Sequence, residues 1–337
     1  MALFTLARWL GPWADSTKAP TVETRDEVVA GIKTRFYGRG RKRVVIAPGL
    51  HYAAADDSRM DRFCRIVAAS GSEVIAPFIP DYLKLTPGNQ AKRDFTAVFD
   101  EIAKTGDKPI VFSISFGSLL AFALAAERGE QIERLIIFGG YSDFHAVMRF
   151  CLTGEVASGR KATRDPLNQP VVLMNLLHIL EHDRSQTPAL VEGWMTYVRR
   201  VWGRAHFKVD RAFVPVAEEI APSVPESVRE LYRVGIGVVP GAVEIAMPAL
   251  EKFDATALDP MPYLACVKNR VDLVHGMDDD VIPFEQSHEL AARLVNADVR
   301  VHITGLYGHT GTQRLPIGAM AKELVTMVRV LRVLSAS

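Results

Sequence analysis

Between Gly31 and Gly140 short apolar runs alternate with stretches whose apolar residues recur at helical spacing. Gly31–Tyr37 reads as an outer strand, and Arg43–Ala47 as a mostly apolar strand ended by Pro48-Gly49. Met60, Phe63, Ile66 and Val67 mark a helix over Ser58–Ser70, with Ser58 as its expected N-cap. Glu73–Phe78 is the next strand and Asn89–Lys104 the next helix. Pro109–Ile114 then runs straight into a helix over Phe116–Arg128, and Arg134–Phe138 is a further strand ending at Gly139-Gly140. Strands separated by helices of this length need right-handed crossovers, so the pattern predicts a mostly parallel sheet buried on both faces.

After Tyr141 the rhythm changes. The spacing predicts helices over Phe144–Cys151, Val171–Glu181, Pro188–Val201, Val224–Val234 and Ala242–Phe253. Thr187-Pro188 fits an N-cap followed by proline at the first helical position, and Ser223 to Glu226 fits a capping box. The sheet pattern resumes at Val271–His275, followed by helix Glu285–Val295, strand Val299–Ile303 and a closing helix from Ile317 to Leu334. The predicted architecture is an α/β core, 31–141 and 269–337, interrupted by a helical cap, 142–268, and preceded by an N-terminal segment, 1–30.

Composition narrows this picture in three ways. An apolar fraction of 48% over 337 residues supplies a substantial core and argues against disorder. A formal net charge of +1 gives no overall bias toward nucleic acid, and the basic clusters Lys33–Arg43 and Arg199–Arg211 read as solvated surface. Cys64, Cys151 and Cys266 form no metal-ligand spacing and suggest a reducing, cytoplasmic setting, with no metal and no cofactor expected. The N-terminal MALFTLARWLGPW lacks a signal-peptide pattern. It is expected to dock as a helix on its own domain rather than on a membrane. The sequence sets no oligomeric state.

The candidate chemistry begins at Ser113-Ile114-Ser115-Phe116-Gly117. A strand that turns tightly into a helix lifts the serine out of the sheet edge and aims the helix N-terminal N–H groups at the same spot. Close approach there asks for small residues two before and two after, here Ser113 and Gly117. A helix N-cap is the ordinary alternative role for such a serine. Gly49 lets the strand end turn toward a ligand, so the N–H of Leu50 pairs with that of Phe116 as the expected oxyanion donors. His51 is expected to organise this loop. Two later strand ends carry an acid and a base. Asp279 lies in Gly276-Met277-Asp278-Asp279-Asp280, and His309 follows Gly308 beyond the last strand. Asp143, Asp278 and Asp280 are rivals for the acid; His288 and His302 are weaker rivals for the base.

In that order Ser115, Asp279 and His309 resemble the triad of the α/β-hydrolase superfamily, specifically its serine-dependent members with a helical cap. The matching stretches are Pro48 to His51, Ser113 to Gly117, His275 to Pro283, and Gly308-His309, with Ser113 departing from the usual glycine. The resemblance implies an α/β-hydrolase fold and a Ser-His-Asp hydrolase acting on a small-molecule carboxylic ester with a hydrophobic acyl or alcohol part. Gly49, His51 and Tyr141 are the expected substrate contacts. Peptidase, thioesterase, C–C hydrolase or acyltransferase chemistry on the same scaffold stays open, as does a non-catalytic ligand-binding role.

Overall fold

The computed structural model describes residues 1–11, 15, 17–305 and 317–335, and of 317–325 the backbone alone. The strands are β1 (Thr24–Val29), β2 (Ile32–Tyr37), β3 (Lys42–Ala47), β4 (Ser72–Pro77), β5 (Ile110–Ile114), β6 (Leu135–Phe138), β7 (Arg270–Gly276) and β8 (Asp298–Thr304). They form one sheet in the order β1-β2-β4-β3-β5-β6-β7-β8. β2 is antiparallel to both neighbours, and β3 through β8 run parallel. The helices are α1 (Ala2–Leu10), α2 (Ser58–Ala69), α3 (Pro80–Leu83), α4 (Asn89–Ala103) and α5 (Gly117–Arg128) on the first part of the chain. Between β6 and β7 come α6 (Phe144–Thr153), α7 (Gln169–Leu176), α8 (Thr187–Val201), α9 (Val214–Ile220), α10 (Glu226–Ile236), α11 (Ala242–Lys252) and α12 (Met261–Leu264). α13 (Glu285–Arg293) and α14 (Ile317–Ser335) complete the order.

Alternation along the central strands sorts their residues onto two covered faces. Val45, Val111, Ile137 and Leu273 pack with α4, α5 and the helices that follow β6. Val44, Ile46, Phe112 and Ile136 pack with α1, α2 and the C-terminal part of α14. Both faces are apolar because helices cover both, which is what a parallel sheet requires. α5 is buried from Gly117 through Ala125, so it runs through the core rather than over it. α1 docks on α2 and α14, as expected, with Leu6 fully buried.

Four local expectations need correction. The boundary at residue 30 falls inside a hairpin: β1 pairs with β2 from Thr24↔Tyr37 to Val29↔Ile32. Its two-residue turn, Ala30-Gly31, has both φ values positive, the geometry that matches strand twist. The N-cap of α2 is Asp57, whose carboxylate accepts from the N–H groups of Arg59 and Met60, not Ser58. α8 begins at Thr187 itself after Gln186, without a side-chain cap. Ser223 donates its hydroxyl to the Ile220 carbonyl, so the expected capping box ahead of α10 does not form.

Candidate active site

Ser115 sits between the end of β5 and the start of α5 with φ at 53°, a left-handed conformation uncommon for a residue with a Cβ. Strain of this kind costs about 1–3 kcal/mol and persists where the surroundings fix it. The surroundings here are specific. The Ser115 N–H donates to Phe138 O at 2.8 Å, and its carbonyl accepts from the Ser118 N–H at 3.0 Å. Tyr82 donates its hydroxyl to Phe116 O at 2.9 Å, pinning the first residue after the serine. A Cβ on Gly117 would lie 2.1 Å from Ala47 O, so the helix start touches the end of β3 and only glycine fits. Ser113 is fully buried and its extra Cβ is accommodated, because the close approach falls on the Gly117 side.

The chain leaving β3 passes beside the serine. A Cβ on Gly49 would stand 3.6 Å from the Ser115 Cβ and 3.2 Å from Ile114 O. Gly49, Leu50, His51, Ser115 and Phe116 border one cavity. The N–H groups of Leu50 and Phe116 have no backbone acceptor among the described residues. His51 Nδ1 accepts from the Ala53 N–H at 3.1 Å, and its Nε2 lies 3.5 Å from Asp57 Oδ2. Its ring stacks on Tyr52 at 4.5 Å and tilts against Trp202 at 5.7 Å. Burial pulls the imidazole below its ordinary pKa; Asp57 opposes this and Arg59 adds to it. His51 thus accepts a hydrogen bond from within its own loop and packs against Tyr52 and Trp202.

Beyond β7, Asp279 Oδ1 accepts from the N–H groups of Val281 and Ile282 at 2.9 and 2.8 Å. Its Oδ2 is 3.5 Å from His275 Nε2. His275 is fully buried, with Nε2 on the Ile282 carbonyl at 2.8 Å and Nδ1 on the Ser287 hydroxyl at 2.7 Å. A carbonyl only accepts, so Nε2 carries the proton and Nδ1 accepts from Ser287. The rivals have other uses: Asp278 is exposed, and Asp280 is ion-paired with Lys208 at 2.7 Å. Asp143 caps α6 by accepting from the Ala146 N–H. His302 pairs with the buried Asp272 at 3.2 Å. His309 lies outside the described residues; the sequence places it five positions after Thr304, the last residue of β8.

The cavity at Ser115 measures about 490 Å³. The helices after β6 supply apolar walls through Phe144, Met148, Val171, Val172 and Trp202. Phe112, Ile136, Val330 and Leu334, from the opposite face of the sheet, also border the cavity. Leu173, Leu176, Leu177 and Leu180 are core residues instead. Tyr141, expected at the substrate, is fully buried with its hydroxyl on the Leu258 carbonyl at 2.6 Å, packed behind Phe116 at 5.0 Å between rings. Its position is a correction: it supports the wall and does not line the cavity. Tyr82, Asp165 and Lys208 were missed in the sequence, and no local pattern marks them. Among the described residues no three His, Cys, Asp or Glu side chains are placed to hold a metal ion, and no helix is long and apolar enough to cross a membrane.

A parallel sheet of this order, with β2 antiparallel and a strained serine elbow between its central strand and a buried helix, has the α/β-hydrolase fold. No protein-family model and no curated protein matches the chain. Among solved structures it is similar to an acylaminoacyl peptidase of Pyrococcus horikoshii (12% identity, TM-score 0.49), covering 95% of this chain but 43% of the peptidase. It is also similar to 2-hydroxy-6-oxo-6-phenylhexa-2,4-dienoate hydrolase from a Rhodococcus species (17% identity, TM-score 0.48, 94% and 100% of the two chains). An esterase from Exiguobacterium antarcticum matches at 16% identity and TM-score 0.46, over 93% and 98%. The fold assignment rests on the strand order and the elbow, and these neighbours assign no substrate.

Proposed function

We propose that the chain is a serine hydrolase that cleaves carboxylic esters with a hydrophobic acyl or alcohol part. The observation that carries the reading is the elbow. Ser115 is held at positive φ, on the cavity wall, by contacts from β3, β6 and Tyr82. A serine hydroxyl needs a base and a place for negative charge. In this reading His309 takes the Ser115 proton as Oγ attacks the ester carbonyl, and Asp279 orients the imidazole and stabilises its charge. The N–H groups of Leu50 and Phe116 receive the oxyanion. The tetrahedral intermediate collapses, the alcohol leaves with the proton from His309, and water repeats the sequence on the acyl-enzyme.

The apolar walls support a hydrophobic substrate. The helices after β6 act as a cap over the sheet edge. A panel of p-nitrophenyl esters from two to twelve acyl carbons tests the reading, wild type beside Ser115→Ala. Turnover is expected to rise from acetate toward medium chains and to vanish in Ser115→Ala. Turnover that survives the substitution overturns the assignment.

A further inference from the structure

We infer that Lys208 is a positioning residue for the acid of the triad: its ammonium, bridging Asp165 and Asp280, holds the turn that carries Asp279. The inference rests on the hydrolase reading, which gives Asp279 its role. Lys208 belongs to the 3-10 turn Ala205–Lys208 between α8 and α9, far in sequence from the strand ends. Its Nζ lies 2.7 Å from Asp165 Oδ2 and 2.7 Å from Asp280 Oδ2. The three side chains are only 16%, 10% and 6% exposed. Lys208 and Asp165 line the cavity that holds Ser115.

The two chain segments are also joined through the backbone, the Asp165 N–H donating to Asp280 O at 2.8 Å. Asp280 adjoins Asp279, whose Oδ1 is committed to the N–H groups of Val281 and Ile282. The turn is therefore held from inside by Asp279 and His275, and from outside by Lys208.

Electrostatics make this tie consequential. Two carboxylates that share one ammonium at these distances are close neighbours in a poorly solvated place, with Asp279 next to them. Without the cation, one of them must take up a proton or move. Burial works against the Lys208 charge, but Asp165 and Asp280 more than reverse that and raise its pKa. The other titratable groups facing the cluster do not replace the cation. The Cys151 thiol is pushed up to about 12 by burial. The Tyr197 phenol lies above its ordinary value for the same cause. The Arg164 guanidinium is spent on Cys151 O and Gln169 Oε1.

The test reads the rate of Ser115 phosphonylation by a fluorophosphonate probe, with kcat and KM on the best ester, from pH 5 to 9. Lys208→Met is expected to slow labelling by about ten- to a hundred-fold, through kcat rather than KM, and to move the acid limb of the profile upward. Lys208→Arg should stay within about threefold, and Lys208→Met with Asp280→Asn should lose about tenfold, the same as Asp280→Asn alone, because either substitution breaks the same tie to the turn. If Lys208→Met does not fold, the single neutralisations decide. Asp280→Asn should cost about tenfold and Asp165→Asn less than about threefold. A folded Lys208→Met with wild-type labelling and an unchanged pH profile overturns the positioning role, as do equal effects of the two Asp→Asn variants. A wild type that is never labelled overturns the hydrolase reading itself, and the two failures are therefore distinct.

Discussion

Gly117→Ala tests whether the elbow is held by close packing. The added Cβ would stand 2.1 Å from Ala47 O, 2.6 Å from Pro48 O and 2.8 Å from Ala47 C. Ordinary contact begins near 3.4 Å, so strand and helix must separate by about 1.3 Å. The obstacle is backbone in the sheet, since Ala47 is in register with Ser113, and it cannot rotate away like a side chain. Overpacking of this kind costs about 2–3 kcal/mol, more than the ~1 kcal/mol that alanine gains over glycine in a helix. Net destabilisation of about 1–2 kcal/mol lowers Tm by roughly 1–3 °C in a protein of this size. The same displacement carries Gly49 and Leu50 away from Ser115, and a misplacement of about 1 Å can cost on the order of a hundredfold in rate. Differential scanning fluorimetry and the rate of fluorophosphonate labelling measure both effects. Gly88→Ala serves as the control, because a Cβ there meets nothing closer than 3.8 Å. A Gly117→Ala protein with wild-type Tm and wild-type labelling would refute the reasoning.

Three further outcomes are expected. Ser113 Oγ is buried with no hydrogen-bond partner among the described residues, so Ser113→Ala should stabilise by about 1 kcal/mol in urea melts and leave labelling unchanged. Tyr141→Phe leaves the Leu258 carbonyl without its donor and should cost about 1–2 kcal/mol, with labelling within about twofold; a large rise in KM at unchanged stability would return Tyr141 to the substrate. Lys208 has a folded-state pKa raised above its ordinary 10.5, so its contribution to stability is complete below that value and is lost as pH rises through the folded one. The Tm gap between wild type and Lys208→Met should therefore hold from pH 7 to about 9.5 and narrow above about 10.5, and a gap that widens with alkali would contradict the sign.

The central strands were legible because burial on both faces makes them short continuous apolar runs, as in Ile110–Ile114 and Leu135–Phe138. β1 was not, because an edge strand with the sequence TRDEVV and mostly exposed side chains has no apolar alternation to read. The caps failed for a related reason. Asp57 and Ser58 both suit an N-cap, and only the backbone decides which carbonyl opens the helix. The turn at Ser115 and Phe116, and the place of Leu50 beside it, were legible because the elbow is local: five consecutive residues and a strand end specify it. Tyr82 lies 34 residues from Phe116, and Lys208 lies 72 from Asp280. Their partners are set by how distant elements pack, and no spacing rule encodes that. Tyr141 illustrates the opposite error. A position just past a strand end suggested the ligand, while Leu258, 117 residues later, takes its hydroxyl into the core.

The most direct measurement is mass spectrometry of the protein after reaction with a fluorophosphonate, followed by mapping of the adduct. The expected result is one phosphonyl group per chain on the peptide containing Ser115, absent from Ser115→Ala and slowed about a thousandfold or more in His309→Ala. An adduct on another residue, or equal modification of Ser115→Ala, would contradict the account.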